Sequence, residues 1–206
     1  MKPSCCDSHL AALDVERPST CLGAAFEERY QSNPDPWNFS ASAYERQRYR
    51  TVLEALPRAR YARAFEPGCS VGELTAQLAE LCEWVIATDL APTAVARARR
   101  RCRTLINVDI HCADIVTQIP PGPFDLIVFS ELGYYFSRPL LGRVAGALAL
   151  TLESGGDFIA VHWLGESRDH VLHGDAVHAE LMATLPLRWL RGERHAGFRI
   201  DCWRRA

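Results

Sequence analysis

The sequence predicts an α/β fold built on a mostly parallel, seven-stranded sheet. Short apolar segments alternate with helical segments along residues 60–184, which is the pattern of βαβ units. Phe124–Phe129 is almost continuously apolar, as expected of a central strand covered by helices on both faces. The last two apolar segments form a predicted hairpin, so we expect the final strand to be antiparallel.

The residues before the first strand are predicted to form two helices. Residues 1–20 have no periodic pattern and are predicted to be a flexible tail. Leu22–Gln31 has a helical pattern, and two close prolines after it exclude helix. Tyr44–Leu56 is the second predicted helix, and Pro57 ends it. We expect residues 21–206 to form one domain.

The later elements follow in regular order. The predicted strands are Arg60–Glu66, Trp84–Asp89, Ile106–Cys112, Phe124–Phe129, Asp157–Trp163, Leu187–Leu190 and Phe198–Trp203. The predicted helices between them are Leu74–Cys82, Pro92–Cys102, Pro139–Leu152 and Asp175–Thr184. Gly155 and Gly156 are predicted to end the third of these helices.

Composition limits the classes of function. The chain has 206 residues and a net charge of −2, so it lacks the basic field that a nucleic-acid partner requires. No apolar segment is long enough to span a membrane, and no signal peptide is visible. Eight cysteines show no metal-binding spacing, which predicts reduced thiols and a cytoplasmic protein. The sequence does not define the oligomeric state.

A glycine-rich turn follows the first predicted strand. In an open α/β sheet, ligands bind beyond the carboxyl ends of the strands. There the sequence places Glu66, Gly68, Cys69 and Gly72, in a Glu-x-Gly-x-x-x-Gly pattern. The middle glycine that admits a pyrophosphate is missing, which argues against a dinucleotide cofactor.

Carboxylates follow the next two strands. Asp89, with Leu90 beside it, comes at about the distance along the chain at which an acid meets a ribose diol. Asp114 offers an acceptor for an exocyclic amine, and Ile115 offers an apolar wall for a purine. These positions together predict a nucleoside-binding site.

The order of these motifs resembles that of class I S-adenosylmethionine-dependent methyltransferases over residues 60–165, and it implies their Rossmann-like fold and their cofactor. By this resemblance the glycine turn lies under the methionine part of the cofactor, with Glu66 supporting the turn. Asp89 then holds the ribose, Asp114 and Ile115 hold adenine, and the Ser130 carbonyl contacts the methionine amino group. Cys69 and Leu90 belong to the same two turns and are predicted to contact the cofactor.

The upstream segment resembles the nodulation S family of methyltransferases. The motifs are Asp-Pro-Trp at residues 35–37, Tyr-Glu-x-x-Arg-Tyr at 44–49 and Ser-Glu-Leu-Gly-Tyr-Tyr at 130–135. The resemblance implies that residues 21–58 form a lid, with Trp37 and Arg48 contacting the cofactor and Arg48 on its carboxylate. It also implies N-methylation of an amino sugar or glycoconjugate. The alternatives are O-methylation of a small metabolite and a non-catalytic cofactor-binding module.

Three residues are predicted to act on the methyl acceptor, because they follow strands at the same edge of the sheet. His162 is the first candidate for the base that removes a proton from the acceptor, and Glu131 and Tyr135 lie beside it. The alternative for His162 is a buried core histidine. The His- and Asp-containing segment 169–178 could contact the substrate. A metal site there is not expected, since no cysteine joins these residues.

Overall fold

Seven strands form a single sheet in this computed structural model, which describes residues 19–206, with side chains from Leu22 onward. The predicted tail, residues 1–20, lies almost wholly outside the described residues. The strands are β1 (Tyr61–Pro67), β2 (Cys82–Asp89), β3 (Val108–Cys112), β4 (Phe124–Ser130), β5 (Leu152–Trp163), β6 (Arg188–Arg194) and β7 (Phe198–Arg204). The helices are α1 (Ser19–Ser32), α2 (Ala43–Glu54), α3 (Glu73–Leu78), α4 (Pro92–Arg101), α5 (Arg138–Leu150) and α6 (Gly174–Thr184).

The strand order across the sheet is β3-β2-β1-β4-β5-β7-β6. The first five strands are parallel, whereas β7 is antiparallel to both β5 and β6. The predicted mixed sheet with an antiparallel end is therefore confirmed. The order reverses between β1 and β4, and in such sheets this switch point opens a crevice for a ligand.

Both faces of the sheet are buried, which explains the apolar sequence of β4. Ile127 and Phe129 belong to the core cluster on the face that α5 and α6 cover. Leu126 and Val128 belong to the cluster on the other face, which includes side chains of α2 and α3. Successive residues of a strand point to opposite faces, so an apolar residue is needed at every position.

Two predicted boundaries are wrong. Cys82 is the first residue of β2, where it pairs with Tyr61, and α3 ends four residues earlier. Leu152 likewise begins β5 and pairs with Phe124. Gly155 and Gly156 therefore lie within β5 and do not end a helix. The register of β4 and β5 shifts here, and Gly155 takes a φ of 78°, which glycine adopts without strain.

The N-terminal helices pack beside the carboxyl ends of the strands. Glu27 of α1 accepts hydrogen bonds from the Thr93 N–H at 2.9 Å and from the Thr93 hydroxyl at 2.5 Å, which fixes α1 to the start of α4. Ser42 caps α2 by accepting a hydrogen bond from the Glu45 N–H. Within residues 19–206, no helix combines the length and the apolar composition needed to cross a bilayer.

Candidate active site

A cavity of about 480 Å³ lies at the carboxyl ends of the parallel strands. Its lining includes residues from every segment that the sequence predicted to meet there. These are Gly68 and Ser70 after β1, Asp89 and Leu90 after β2, Asp114 and Ile115 after β3, and Glu131 and Tyr135 after β4. The volume and the mixed lining fit a small-molecule site.

The glycine turn brings backbone close to the cavity. Gly68 has a φ of 74°, and a Cβ at this position would lie 2.7 Å from the Leu132 side chain. Gly72 has a φ of 79°, and a Cβ there would lie 3.1 Å from Ala98 of α4. Both positions therefore require glycine for conformation and for space. The Gly68 N–H donates to the Thr88 carbonyl, which holds the turn against the end of β2.

Asp89 is nearly buried, with its carboxylate held by backbone. One oxygen accepts from the Ser70 N–H and the other from the Ala91 N–H, each at 2.9 Å. Burial raises the pKa of Asp89 to about 6, although these hydrogen bonds lower it. A carboxylate has about four acceptor positions, so two remain for adjacent hydroxyl groups of a ligand.

The adenine-binding candidates lie across the cavity from the glycine turn. Asp114 accepts a hydrogen bond from the Val116 N–H at 2.9 Å, which orients one carboxylate oxygen. Ile115 is buried, and Leu90 is half-buried; both line the cavity with Leu22 of α1. An apolar slot with one carboxylate at its edge fits a purine with an exocyclic amine.

Glu66 and Cys69 lie beneath the turn and do not line the large cavity. With Ser130 they line a small adjoining cavity of about 30 Å³. Glu66 is buried and accepts a hydrogen bond from the Thr75 hydroxyl at 2.5 Å. Burial raises the pKa of Glu66 to about 8, so its carboxyl group holds a proton at neutral pH. The geometry agrees with the supporting role predicted for Glu66 and gives Cys69 a packing role.

Aromatic side chains from the N-terminal segment cover one side of the cavity. The Trp37 ring stacks on Phe39 at 5.8 Å between centroids and meets Tyr30 edge-on at 5.4 Å. Phe26 meets Tyr135 edge-on at 5.0 Å, which joins α1 to the segment after β4. Trp37 thus lines the cavity as part of an aromatic cluster.

Arg48 lies outside the large cavity, which differs from its predicted contact with a cofactor carboxylate. Only 2% of its side chain is exposed, and its guanidinium donates to Glu45 and Glu131, each at 2.5 Å. A buried guanidinium requires such partners, because an unpaired charge would cost several kcal/mol. Arg48 borders the small cavity beside Glu66, and in this structure it anchors Glu131.

Through its carboxylate, Glu131 joins three other groups at the rim of the cavity. Its carboxylate accepts from Arg48, from the Tyr134 hydroxyl at 2.5 Å and from the Trp163 N–H at 2.9 Å. Its φ of 58° is unusual for a residue other than glycine. These bonds hold that conformation, so Glu131 fixes the geometry of the rim.

His162 is buried below the rim and does not line the cavity, which favours the alternative of a buried core histidine over the role of base. Its Nε2 accepts from the Gly133 N–H at 2.9 Å, and its Nδ1 lies 3.2 Å from His178 Nε2. Both ring nitrogens are therefore engaged, and the side chain is completely shielded from solvent. A base must reach the proton that it removes, and His162 has no path to it.

Sequence reasoning missed His170 as an individual candidate. Its ring lies on the cavity wall and stacks on Tyr134, with centroids 3.7 Å apart. Burial lowers the pKa of His170, which favours the neutral ring at neutral pH. The histidines of residues 169–178 do not converge, since His173 caps α6 and His178 is buried beside Asp201. Within residues 19–206, no group of three His, Cys, Asp or Glu side chains is placed to hold a metal ion.

The sheet order and the site together define the class of protein. A reversed strand order with a glycine turn after β1 and an acid after β2 is that of a class I, S-adenosylmethionine-dependent methyltransferase. A solved structure of a provisionally assigned methyltransferase from Pseudomonas syringae is 37% identical to this chain, with a TM-score of 0.70. The match covers 80% of this chain and 100% of the chain in that structure.

The chain belongs to the nodulation protein S family, whose model matches residues 25–188. Nodulation protein S of Bradyrhizobium diazoefficiens is 34% identical over 146 residues, which cover 66% of this chain and 70% of that protein. Nodulation protein S of Sinorhizobium fredii is 34% identical over 112 residues, 54% of this chain and 52% of that protein. The matches thus span 70% of the first of these curated relatives and about half of the second.

A solved structure of N-methyltransferase NodS from Bradyrhizobium japonicum WM9, in complex with S-adenosyl-L-homocysteine, shares the fold. Its TM-score is 0.78 at 23% identity, and the match covers 89% of this chain and 98% of that one. The predicted family and fold are therefore confirmed.

Proposed function

We propose that this methyltransferase transfers a methyl group from S-adenosylmethionine to an amine of a small, sugar-derived acceptor in the cytoplasm. The observation that carries the proposal is that one cavity holds both sets of groups. The nucleoside-binding candidates lie at one end, and Glu131, Tyr134 and His170 lie at the other.

The residues present fit S-adenosylmethionine. Asp89 has acceptor positions for two ribose hydroxyls, and Asp114 and Ile115 suit adenine. The positive φ of Gly68 and the lack of a side chain there leave room for the methionine part above the turn. When bound, S-adenosylmethionine supplies an already activated methyl group. The protein is then left to hold the acceptor in line and to manage its proton.

The acceptor end favours an amine. An amine is protonated at neutral pH and must lose that proton before it can accept a methyl group. His170 lies on the cavity wall against Tyr134, and burial lowers its pKa, which favours the neutral form that can accept a proton; we therefore assign it as the base. Tyr135 completes the wall beside His170, with ring centroids 5.2 Å apart. The rings of Tyr44 and Trp163 offer faces to a sugar ring or an ammonium group.

The relatives support nitrogen as the receiving atom. The structurally similar NodS protein is described as an N-methyltransferase. Phosphoethanolamine N-methyltransferase 1 of Caenorhabditis elegans is 26% identical to this chain over 136 residues. For this chain, N-methylation of an amino sugar such as that of a deacetylated chito-oligosaccharide is our proposal.

Transfer of labelled methyl groups tests the proposal. Purified protein is incubated with methyl-labelled S-adenosylmethionine and either a chito-oligosaccharide with one free terminal amine or its fully N-acetylated counterpart. We expect label only in the first, because the second has the same hydroxyls and no amine. Equal label in both would show O-methylation and would contradict the proposal.

The role of His170 has its own test. We expect His170→Gln to lower kcat on the order of a hundredfold, the lower end of the range for loss of an acid–base group. The rate of the variant should also recover as pH rises, since a larger fraction of free amine then replaces the missing base. His173→Gln is the control, because that histidine lies in the same segment and caps α6. An unchanged kcat in His170→Gln would remove the assignment.

A further inference from the structure

Three buried polar side chains form a line beneath the acceptor end of the cavity. His162 of β5, His178 of α6 and Asp201 of β7 are each at most 1% exposed. His162 Nδ1 lies 3.2 Å from His178 Nε2, and His178 Nδ1 lies 2.6 Å from Asp201 Oδ2. The methyl-transfer chemistry proposed above uses none of them, yet buried polar groups in such a line are costly unless all are satisfied.

Both ends of the line fix the direction of its hydrogen bonds. At one end the Gly133 N–H can only donate, so His162 Nε2 must be an unprotonated acceptor. A neutral His162 therefore has its proton on Nδ1 and donates it to His178. At the other end, Trp189 Nε1 donates to Asp201 at 3.1 Å and Arg199 Nε donates at 2.7 Å, as suits an ionised carboxylate.

The hydrogen bonds in the middle of the line run in the same direction as those at both ends. An ionised Asp201 can only accept, so His178 Nδ1 is the donor. A neutral His178 then has its free lone pair on Nε2, which is the acceptor that His162 needs. Burial lowers the pKa of His162, with further lowering from His178, Arg48 and His170, and burial also lowers the pKa of His178. These shifts favour the neutral form of both rings, although Asp201 opposes the shift at His178.

The line ends on the segment that forms the rim. Gly133 begins a short 3₁₀ turn, Gly133–Tyr135, two residues after Glu131. A Cβ on Gly133 would lie 2.3 Å from Val177 and 2.9 Å from His162 Nε2, so the turn sits directly on the imidazole. Glu131 is bound to the two neighbours of His162 in β5. The Glu131 N–H donates to the Val161 carbonyl, and the Glu131 carboxylate accepts from the Trp163 N–H.

We propose that His162 is a positioning residue, held in its Nδ1–H form by His178 and Asp201. Its Nε2 fixes the Gly133 N–H, and this contact places the rim residues Glu131, Tyr134 and Tyr135 around the methyl acceptor. The inference rests on the proposed function for the identity of the acceptor. The tautomer and the Gly133 hydrogen bond do not depend on that identity.

Nuclear magnetic resonance of the wild-type protein tests the line first. With ¹⁵N-labelled histidine, we expect His162 to show a protonated Nδ1 and an unprotonated Nε2. We also expect the Gly133 amide to exchange slowly with solvent. A proton on His162 Nε2, or fast exchange of the Gly133 amide, would overturn the proposal.

The variant Asp201→Asn tests the direction of the line. If the amide nitrogen takes the place of Asp201 Oδ2, both tautomers must reverse, and a proton on His162 Nε2 would oppose the Gly133 N–H. If the amide oxygen stays there and accepts from His178 and Arg199, the tautomers are kept, and the ¹⁵N spectrum of the variant shows which case holds. With reversed tautomers we expect kcat/KM for the acceptor to fall on the order of tenfold to a hundredfold, as small misplacements of reacting groups do. Affinity for S-adenosylhomocysteine should stay within about twofold, because Asp89 is held by the Ser70 and Ala91 N–H groups and by no member of the line. His162→Gln, which retains an acceptor and a donor, should restore more activity than His162→Ala.

Controls separate positioning from loss of stability. The control variant Val144→Ala removes core volume from α5. It is compared with the variants of the line under conditions in which both have lost the same amount of melting temperature relative to wild type. It should leave kcat/KM for the acceptor unchanged. If Asp201→Asn with reversed tautomers, or His162→Ala, changes neither that ratio nor the exchange of the Gly133 amide, the positioning role is wrong. If the wild-type protein methylates no amine acceptor, the proposed function fails, whereas the amide exchange still decides the positioning role.

Discussion

Replacing Asp89 with asparagine should weaken the binding of S-adenosylhomocysteine strongly. The carboxylate already accepts from the Ser70 and Ala91 N–H groups, and its remaining acceptor positions face the cavity. A hydrogen bond to a charged group contributes about 1.5–3 kcal/mol. Asparagine keeps one acceptor oxygen and loses the charge, so we expect a loss of about 2–4 kcal/mol. Since about 1.4 kcal/mol is a factor of ten, Kd should rise roughly 30-fold to 1,000-fold.

Titration calorimetry with S-adenosylhomocysteine measures this change directly. The matched control is Asp109→Asn on β3, which removes an exposed carboxylate that pairs with His111 at 2.9 Å. Its Kd should match that of the wild-type protein. A Kd for Asp89→Asn within threefold of wild type, in a variant with an unchanged melting temperature, would refute the assignment of Asp89 to the ribose.

Further predictions concern pH and the turn. Because burial raises the pKa of Asp89 to about 6, S-adenosylhomocysteine should bind more weakly as pH falls through 6, and calorimetry should show no such dependence in Asp89→Asn. Gly68→Ala forces a Cβ onto Leu132 at a positive φ, so thermal unfolding should show a loss of about 1–3 kcal/mol; an unchanged melting temperature would contradict the strained geometry. Burial raises the pKa of Glu66 to about 8, so the native state retains a proton that the unfolded state loses above about pH 4.5. The stability of wild type relative to Glu66→Gln should therefore fall between pH 5 and 8, by at most about 1.4 kcal/mol per pH unit, and urea unfolding that shows a flat difference would contradict it.

The sheet and the cofactor end of the site could be predicted because their signals are local. An apolar strand followed by an acid, as in β2 and Asp89, shows both the element and its carboxyl end within a few residues. The glycines of the turn likewise mark two of its three positions with positive φ, the third being Ser70. Helix and strand boundaries were less certain, because Cys82 and Leu152 fit either pattern and only pairing in the sheet decides between them.

The acceptor end could not be predicted in the same way, because its geometry depends on contacts between distant segments. Arg48 meets Glu131 across 83 positions of sequence, and that partner turns a predicted ligand contact into an internal ion pair. His162 lies at the carboxyl end of β5, as predicted, but α6 and β7 supply His178 and Asp201 and leave it fully buried. His170 lies in an irregular segment, and only its stacking on Tyr134 marks it as part of the cavity wall.

A crystal structure with bound S-adenosylhomocysteine would show whether one cavity holds the cofactor and faces the acceptor groups. We expect the ribose hydroxyls to contact Asp89, adenine to lie between Leu90 and Ile115, and the sulfur to face Tyr134 and His170 across open cavity. A ligand whose ribose lies away from Asp89, or whose sulfur faces solvent on the other side of the glycine turn, would contradict the assignment of both ends of the cavity.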